Sequence, residues 1–170
     1  MADSRLELAV DTIIEQLKGI TQAQGYRNTV KNVVRGLRPS DLITDFPEIA
    51  IDVGRSVIKP KTDSRIIYDE ITQIVVTGSV AADTEAVSSP EEMENLFNAS
   101  ESLAHDLKKK ICTDILTTYI TNSTNAFNVE LSSNELVVER FATLGLSNIV
   151  AQVQISFAVR IRAQDSSFDD

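Results

Sequence analysis

Tryptophan is absent, and cysteine and histidine occur once each, as Cys112 and His105. A single cysteine excludes an intramolecular disulfide and a cysteine-rich metal site, and it fits a reducing compartment. Cys112 reads first as a small apolar residue on a helix rather than a reactive thiol. His105 stands alone inside a helical pattern, two residues from Leu103 and from Leu107, so any metal site would depend on carboxylates. The adjacent carboxylates do not suit acid–base work. Glu91 and Glu92 stand at a helix start, where negative charge meets the positive helix end. Asp69 and Glu70 are strand neighbours that face opposite sides, and Asp169 and Asp170 fall in the final polar stretch.

The six glycines are scattered. No Gly-x-Gly-x-x-Gly or Walker-type run cradles phosphate, and no Gly-x-Ser-x-Gly elbow presents a nucleophile. Aromatic residues make up 5% of the chain, which argues against a carbohydrate or quaternary-ammonium pocket built on ring faces. No window approaches the roughly 18 consecutive apolar residues of a membrane helix. The opening Met1, Ala2, Asp3, Ser4, Arg5 lacks the basic-then-apolar layout of a signal peptide. Together these absences lead to the expectation of a soluble intracellular protein with no cofactor, no metal and no catalytic residues.

What remains is an ordinary globular composition, 42% hydrophobic and 24% charged in 170 residues. That length suits one domain, able to bury about two-thirds of its unfolded-chain surface. The net charge of −9 is uneven: residues 1–65 hold 10 basic and 9 acidic side chains, residues 66–170 hold 6 and 16. Such a chain repels nucleic acid overall, whereas a two-signed molecule suits head-to-tail association in which opposite patches meet.

Periodicity separates the elements. Leu6, Val10, Ile13, Ile14, Leu17 and Ile20 form one helical stripe, with Asp3 or Ser4 as cap, Glu7 completing a capping box, and Gly19 and Gly25 closing it. Residues 26–38 are β-branched enough for a strand, and 39–41 read as a turn. Residues 46–54 alternate Ile49, Ile51 and Val53, with Pro47 at the start, where no ladder donor is needed. Residues 55–64 read as a cationic hairpin loop or extended arm. A long strand follows from 65 to about 80. It carries Ile67, Ile71 and Val75 on one face and Thr72, Ile74, Val76 and Val80 on the other, so both faces are expected to be covered.

After an acidic loop, Ser89 and Pro90 announce a helix with Glu91, Glu92 and Glu94 in its opening turns. Its stripe is Leu96, Ala99, Leu103, Leu107, Ile111 and Ile115. The last third is β: 127–131, 136–143, and an unbroken alternation of Ile149, Ala151, Val153, Ile155, Phe157, Val159 and Ile161. Residues 163–170 read as an acidic disordered tail. The architecture expected is α+β, a mostly antiparallel sheet with two main helices packed on one face, forming a single domain over 1–162.

The basic residues Arg27, Lys31, Arg35, Arg38, Arg55, Lys59, Lys61 and Arg65 make the one notable charge constellation. With only Tyr26 interleaved they form no stacking platform for single strands. They read as a solvated strand face or as a contact for an acidic protein neighbour.

The order and spacing of four segments resemble the phage tail-terminator (tail-completion) family over roughly 5–162. These are the opening helix running into Ile20, Thr21, Gln22, Ala23, Gln24, Gly25 and Tyr26; the strand from Phe46 and Pro47 to Ile51; the strand from Ile71 to Gly78; and the helix 98–115 with Leu103, Asp106, Leu107 and Ile111. The resemblance implies a ring, commonly of six copies, on the head-proximal end of a tail tube. Such a ring stops tube growth and offers a surface to the neck. Implied partners are further copies of the chain, tail tube protein, a neck or head–tail connector protein and, in a contractile tail, sheath protein. No membrane and no specific nucleic acid are implied, though DNA passes through such a ring. The implied location is the virion, with assembly in the host cytoplasm. Arg35, Arg38, Arg55, Lys59, Lys61, Arg65, Arg160 and Arg162 are the candidate contacts to neighbouring subunits or tube. A head–tail connector or other neck protein is the alternative reading, and a small-substrate enzyme a more remote one.

Overall fold

A computed structural model of the chain describes residues 5–60, 66–82, 89–117, 119–122, 127–130, 135–144 and 149–164. Helix α1 (Arg5–Lys18) turns the apolar stripe expected of it inward: Val10, Ile13, Leu17 and Ile20 are buried, with Leu6 and Ile14 packed at the margin. Helix α2 (Pro90–Lys110) begins at Ser89, whose hydroxyl accepts the Glu92 N–H at 3.2 Å, and carries Pro90 in its first turn. Leu96, Leu103 and Leu107 line its buried side, and a π-helical turn (Ile111–Ile115) extends that side through Ile111 and Ile115. Each such fully buried Leu or Ile contributes about 1.5–3 kcal/mol.

Among the described residues seven strands form one sheet: β1 (Asn32–Arg35), β2 (Glu48–Pro60), β3 (Ile66–Ala81), β4 (Tyr119–Asn122), β5 (Phe127–Glu130), β6 (Val137–Leu144) and β7 (Ile149–Gln164). The order is β1-β2-β3-β7-β5-β4, with β6 beside the first half of β7 and β5 beside its end. Among these described pairings β1 and β2 alone run parallel. The α+β class is as expected, and both helices share one core with the sheet.

Alternation decides which side faces the helices. A Cβ on Gly78 would lie 2.8 Å from both Leu103 and Leu107, so α2 lies directly over β3 there. Ile74, Val76 and Val80 share that face, as do Ile49 and Ile51 of β2 and Val153, Ile155, Phe157 and Val159 of β7. The second face mixes buried Ala50 and Val150 with hydrogen-bonded polar side chains: Gln152 donates to Ser79 at 3.0 Å and Gln154 to Thr77 at 3.4 Å. The expected covering of both faces of β3 therefore holds for Thr77 and Ser79, while Gln73 is exposed.

Several boundaries differ from the sequence expectation. Strand β1 is four residues long rather than spanning 26–38, because the preceding backbone is held by α2 instead of by a ladder. The Asp106 carboxylate accepts the N–H groups of Arg27 (3.1 Å) and Asn28 (2.8 Å) and the Asn28 side-chain amide (2.8 Å). Lys109 adds a hydrogen bond to the Gly25 carbonyl and lies 4.8 Å over the Tyr26 ring. Gly36, in the left-handed region, ends β1.

The crossover to β2 passes the second face: the Leu37 N–H donates to Asp52 Oδ2 at 3.0 Å, and Arg38 lies 3.8 Å from Glu48. Strand β2 continues to Pro60, so of the two readings of 55–64 the extended arm is found as far as the described residues reach. A short strand not expected, β4, closes the β5 edge. Strand β7 runs to Gln164, two residues into the segment expected as tail, whose remainder lies outside the described residues.

Candidate functional site

From Val53 to Pro60 every residue of β2 is exposed. Strand β1 pairs with β2 only over Glu48–Ile51, so from Asp52 to Pro60 the outer edge of β2 has no strand partner among the described residues. Between Val53 and Ser56 a β-bulge sets three residues of β2 against two of β3. An extra residue reverses the facing of everything after it. Val53 faces the helix side, whereas Val57 and Lys59, level with Ile71 and Asp69, face the other. Val53, Val57 and Ile58 are 45%, 40% and 60% exposed, and Arg55 and Lys59 are exposed among them. This arm is a cationic strand edge with apolar side chains on show.

The candidate cations separate into three groups. Arg55 and Lys59 lie on the arm, free of the chain's own carboxylates among the described ion pairs. Arg35 and Arg38 serve the fold instead: Arg35 lies 3.7 Å from Asp11 of α1, and Arg38 lies 3.8 Å from Glu48. The Glu48 carboxylate is 2% exposed and also accepts the Asn32 amide at 3.1 Å, so Arg38 offsets a buried charge. Arg160 is half-buried, level with Ile71 on one side and Glu130 on the other. Arg162 stands level with Asp69, as Lys59 does from the opposite side, so the register brings the arm and the end of β7 onto one stretch of sheet. Lys61 and Arg65 lie outside the described residues.

A second feature escaped the sequence reading. On β6, Val137 and Phe141 are 47% and 39% exposed, with exposed Glu139 between them. They stand level with Ser156, Gln152 and Gln154 on the side away from the helices. The other side of β6 carries Arg140, which forms a bidentate pair with Glu101 of α2. That pairing holds the Glu101 carboxyl below its usual range and raises the Arg140 guanidinium. Strand β6 pairs with β7 alone, so its outer edge is also open among the described residues. The signal available in sequence was the Val137, Glu139, Phe141 alternation, which reads equally well as a core-facing strand.

A cleft of about 390 Å³ lies where β1 ends, between Leu6, Val10, Ile51 and Val53, with Glu7, Arg35 and Asp52 at its rim. Its lining includes no Ser, Cys, His or Lys to serve as a nucleophile or base. No group of three His, Cys, Asp or Glu side chains that could hold a metal occurs among the described residues. Asp106, the most buried carboxylate of α2, is occupied with the Arg27–Asn28 backbone. No helix among the described residues is long and apolar enough to cross a membrane. No protein-family model matches the chain, and no curated protein matches it.

Proposed function

We propose that the chain is a structural subunit of a phage tail, a terminator that assembles as a ring on the head-proximal end of the tail tube. There it stops polymerisation and presents a joining surface to the neck. The observation that supports this reading most is the exposed β2 arm, an open cationic strand edge with Val53, Val57 and Ile58 exposed. Long open edges are association hazards unless another chain covers them, and a ring of identical subunits covers them by closing. Acidic tube or neck proteins would meet the Arg55 and Lys59 side, where opposite charge steers and orients docking.

Tail tubes assembled with and without the protein, measured by electron microscopy, test the reading. Tubes of defined length in its presence and of indefinite length in its absence are expected. Tubes of the same length that fail to join heads when the protein is withheld would place it in the neck instead. Native mass spectrometry should show a closed species near six times the 18.7 kDa subunit, about 112 kDa, alone or on added tubes.

A further inference from the structure

The geometry points to a specific contact between copies: the open β2 edge of one subunit pairs antiparallel with the open β6 edge of the next, Lys59 opposite Glu139 and Val57 opposite Phe141. This names the ring contact of the function proposed above and rests on that reading for closure into a ring.

Three independent features of the sheet agree on it. The first is direction. Strands β2, β3, β7 and β6 alternate in sense, so the next copy's β6, laid beside β2 with its helices on the same side, runs antiparallel without the sheet being flipped. The second is facing. The bulge at Val53–Ser56 turns Val57 and Lys59 away from the helices, the side on which Val137, Glu139 and Phe141 lie. Without the bulge those partners would fall on opposite faces. The third is chemistry at a single register. Placing Lys59 against Glu139 puts Val57 against Phe141 two residues away. One cross-strand ion pair and one aliphatic–aromatic pair then form together, each a recognised source of sheet stability.

Within the chain Glu139 is level with Gln154, and Lys59 is level with Asp69. Neither is in an ion pair among the described residues. Strand β1 occupies β2 over Glu48–Ile51, so the next copy must dock along the strand axis, below β1, rather than side by side. The two edges differ, so the contact is heterologous. It propagates head to tail, and only rotation between copies closes it.

Sedimentation velocity over a concentration series tests the contact, with charge reversal and cross-linking. Lys59→Glu and Glu139→Lys are each expected to weaken self-association about tenfold, from loss of an attraction and creation of a repulsion. The double reversal should restore it. In a Cys112→Ser background, Ser56→Cys with Ala142→Cys, opposite each other at this register, should yield an intermolecular disulfide ladder on mild oxidation. Single reversals that associate like the wild type, a double variant as weak as the singles, or absence of the ladder would overturn the contact. So would a chain that stays monomeric throughout. These results leave the tail reading to the tube-length assay. Conversely, the expected association without any effect on tubes would keep this contact and remove the tail reading.

Discussion

Removal of the Asp106 carboxylate tests how the start of the sheet is anchored. Asp106 is buried on α2 and accepts three hydrogen bonds of 2.8–3.1 Å from Arg27 and Asn28. A hydrogen bond to a charged group contributes about 1.5–3 kcal/mol net. Simple addition overstates the loss, because the donors are only partly buried and regain water when the acceptor goes. Asp106→Ala should therefore cost about 2–4 kcal/mol, a large share of the roughly 5–15 kcal/mol of a typical domain.

Asp106→Asn keeps one acceptor but turns an amide donor toward the remaining N–H groups, so it should cost about half as much. Guanidinium denaturation followed by circular dichroism reads the effect as a lowered midpoint with unchanged slope. Asn28→Ala removes the side-chain donor, and its cycle with Asp106→Ala should show coupling, since the two share a bond. A cost below about 0.5 kcal/mol, or full additivity, would refute the anchoring role.

Two further outcomes follow from the packing. Gly78→Ala places a methyl 2.8 Å from the buried ends of Leu103 and Leu107, which should destabilise the protein by about 1–3 kcal/mol; an unchanged denaturation midpoint would show that α2 does not lie against β3 there. Glu101 has its pKa lowered, chiefly by its hydrogen bond to Arg140. A lowered carboxyl stabilises above its unfolded pKa, and the effect fades as pH falls through the folded value. Both partners are solvent-exposed, so the effect is small: Glu101→Gln should lower the midpoint slightly near neutral pH and not at all in acid below the carboxylate range. A difference that persists in acid would rule out the ion pair as its source.

The helices were legible because their apolar spacing and caps are local. The α1 stripe, the Ser89 cap with Pro90, and the Leu96-to-Ile115 stripe all occupy the roles that spacing alone assigned them. The alternation of β7 was equally plain, since a strand buried on one face has period two whatever its neighbours. Strand β1 was overextended because β-branched residues at 26–38 satisfy propensity, whereas the chain there is claimed by Asp106, 78 residues away in sequence from Asn28. The arm was ambiguous between loop and strand because polar residues on an unpartnered hairpin carry no period.

Composition by itself determined that one domain could form without disulfides, and periodicity determined two amphipathic helices and a sheet to receive them. Only the tertiary structure decided which cations pair with the chain's own carboxylates. Arg35 and Arg38 turn back to Asp11 and Glu48, while Arg55 and Lys59 stand on an edge that β1 stops short of covering. That division depends on register and on one bulge. Both arise from pairing between strands distant in sequence, and no local pattern of residues encodes where a neighbouring strand ends.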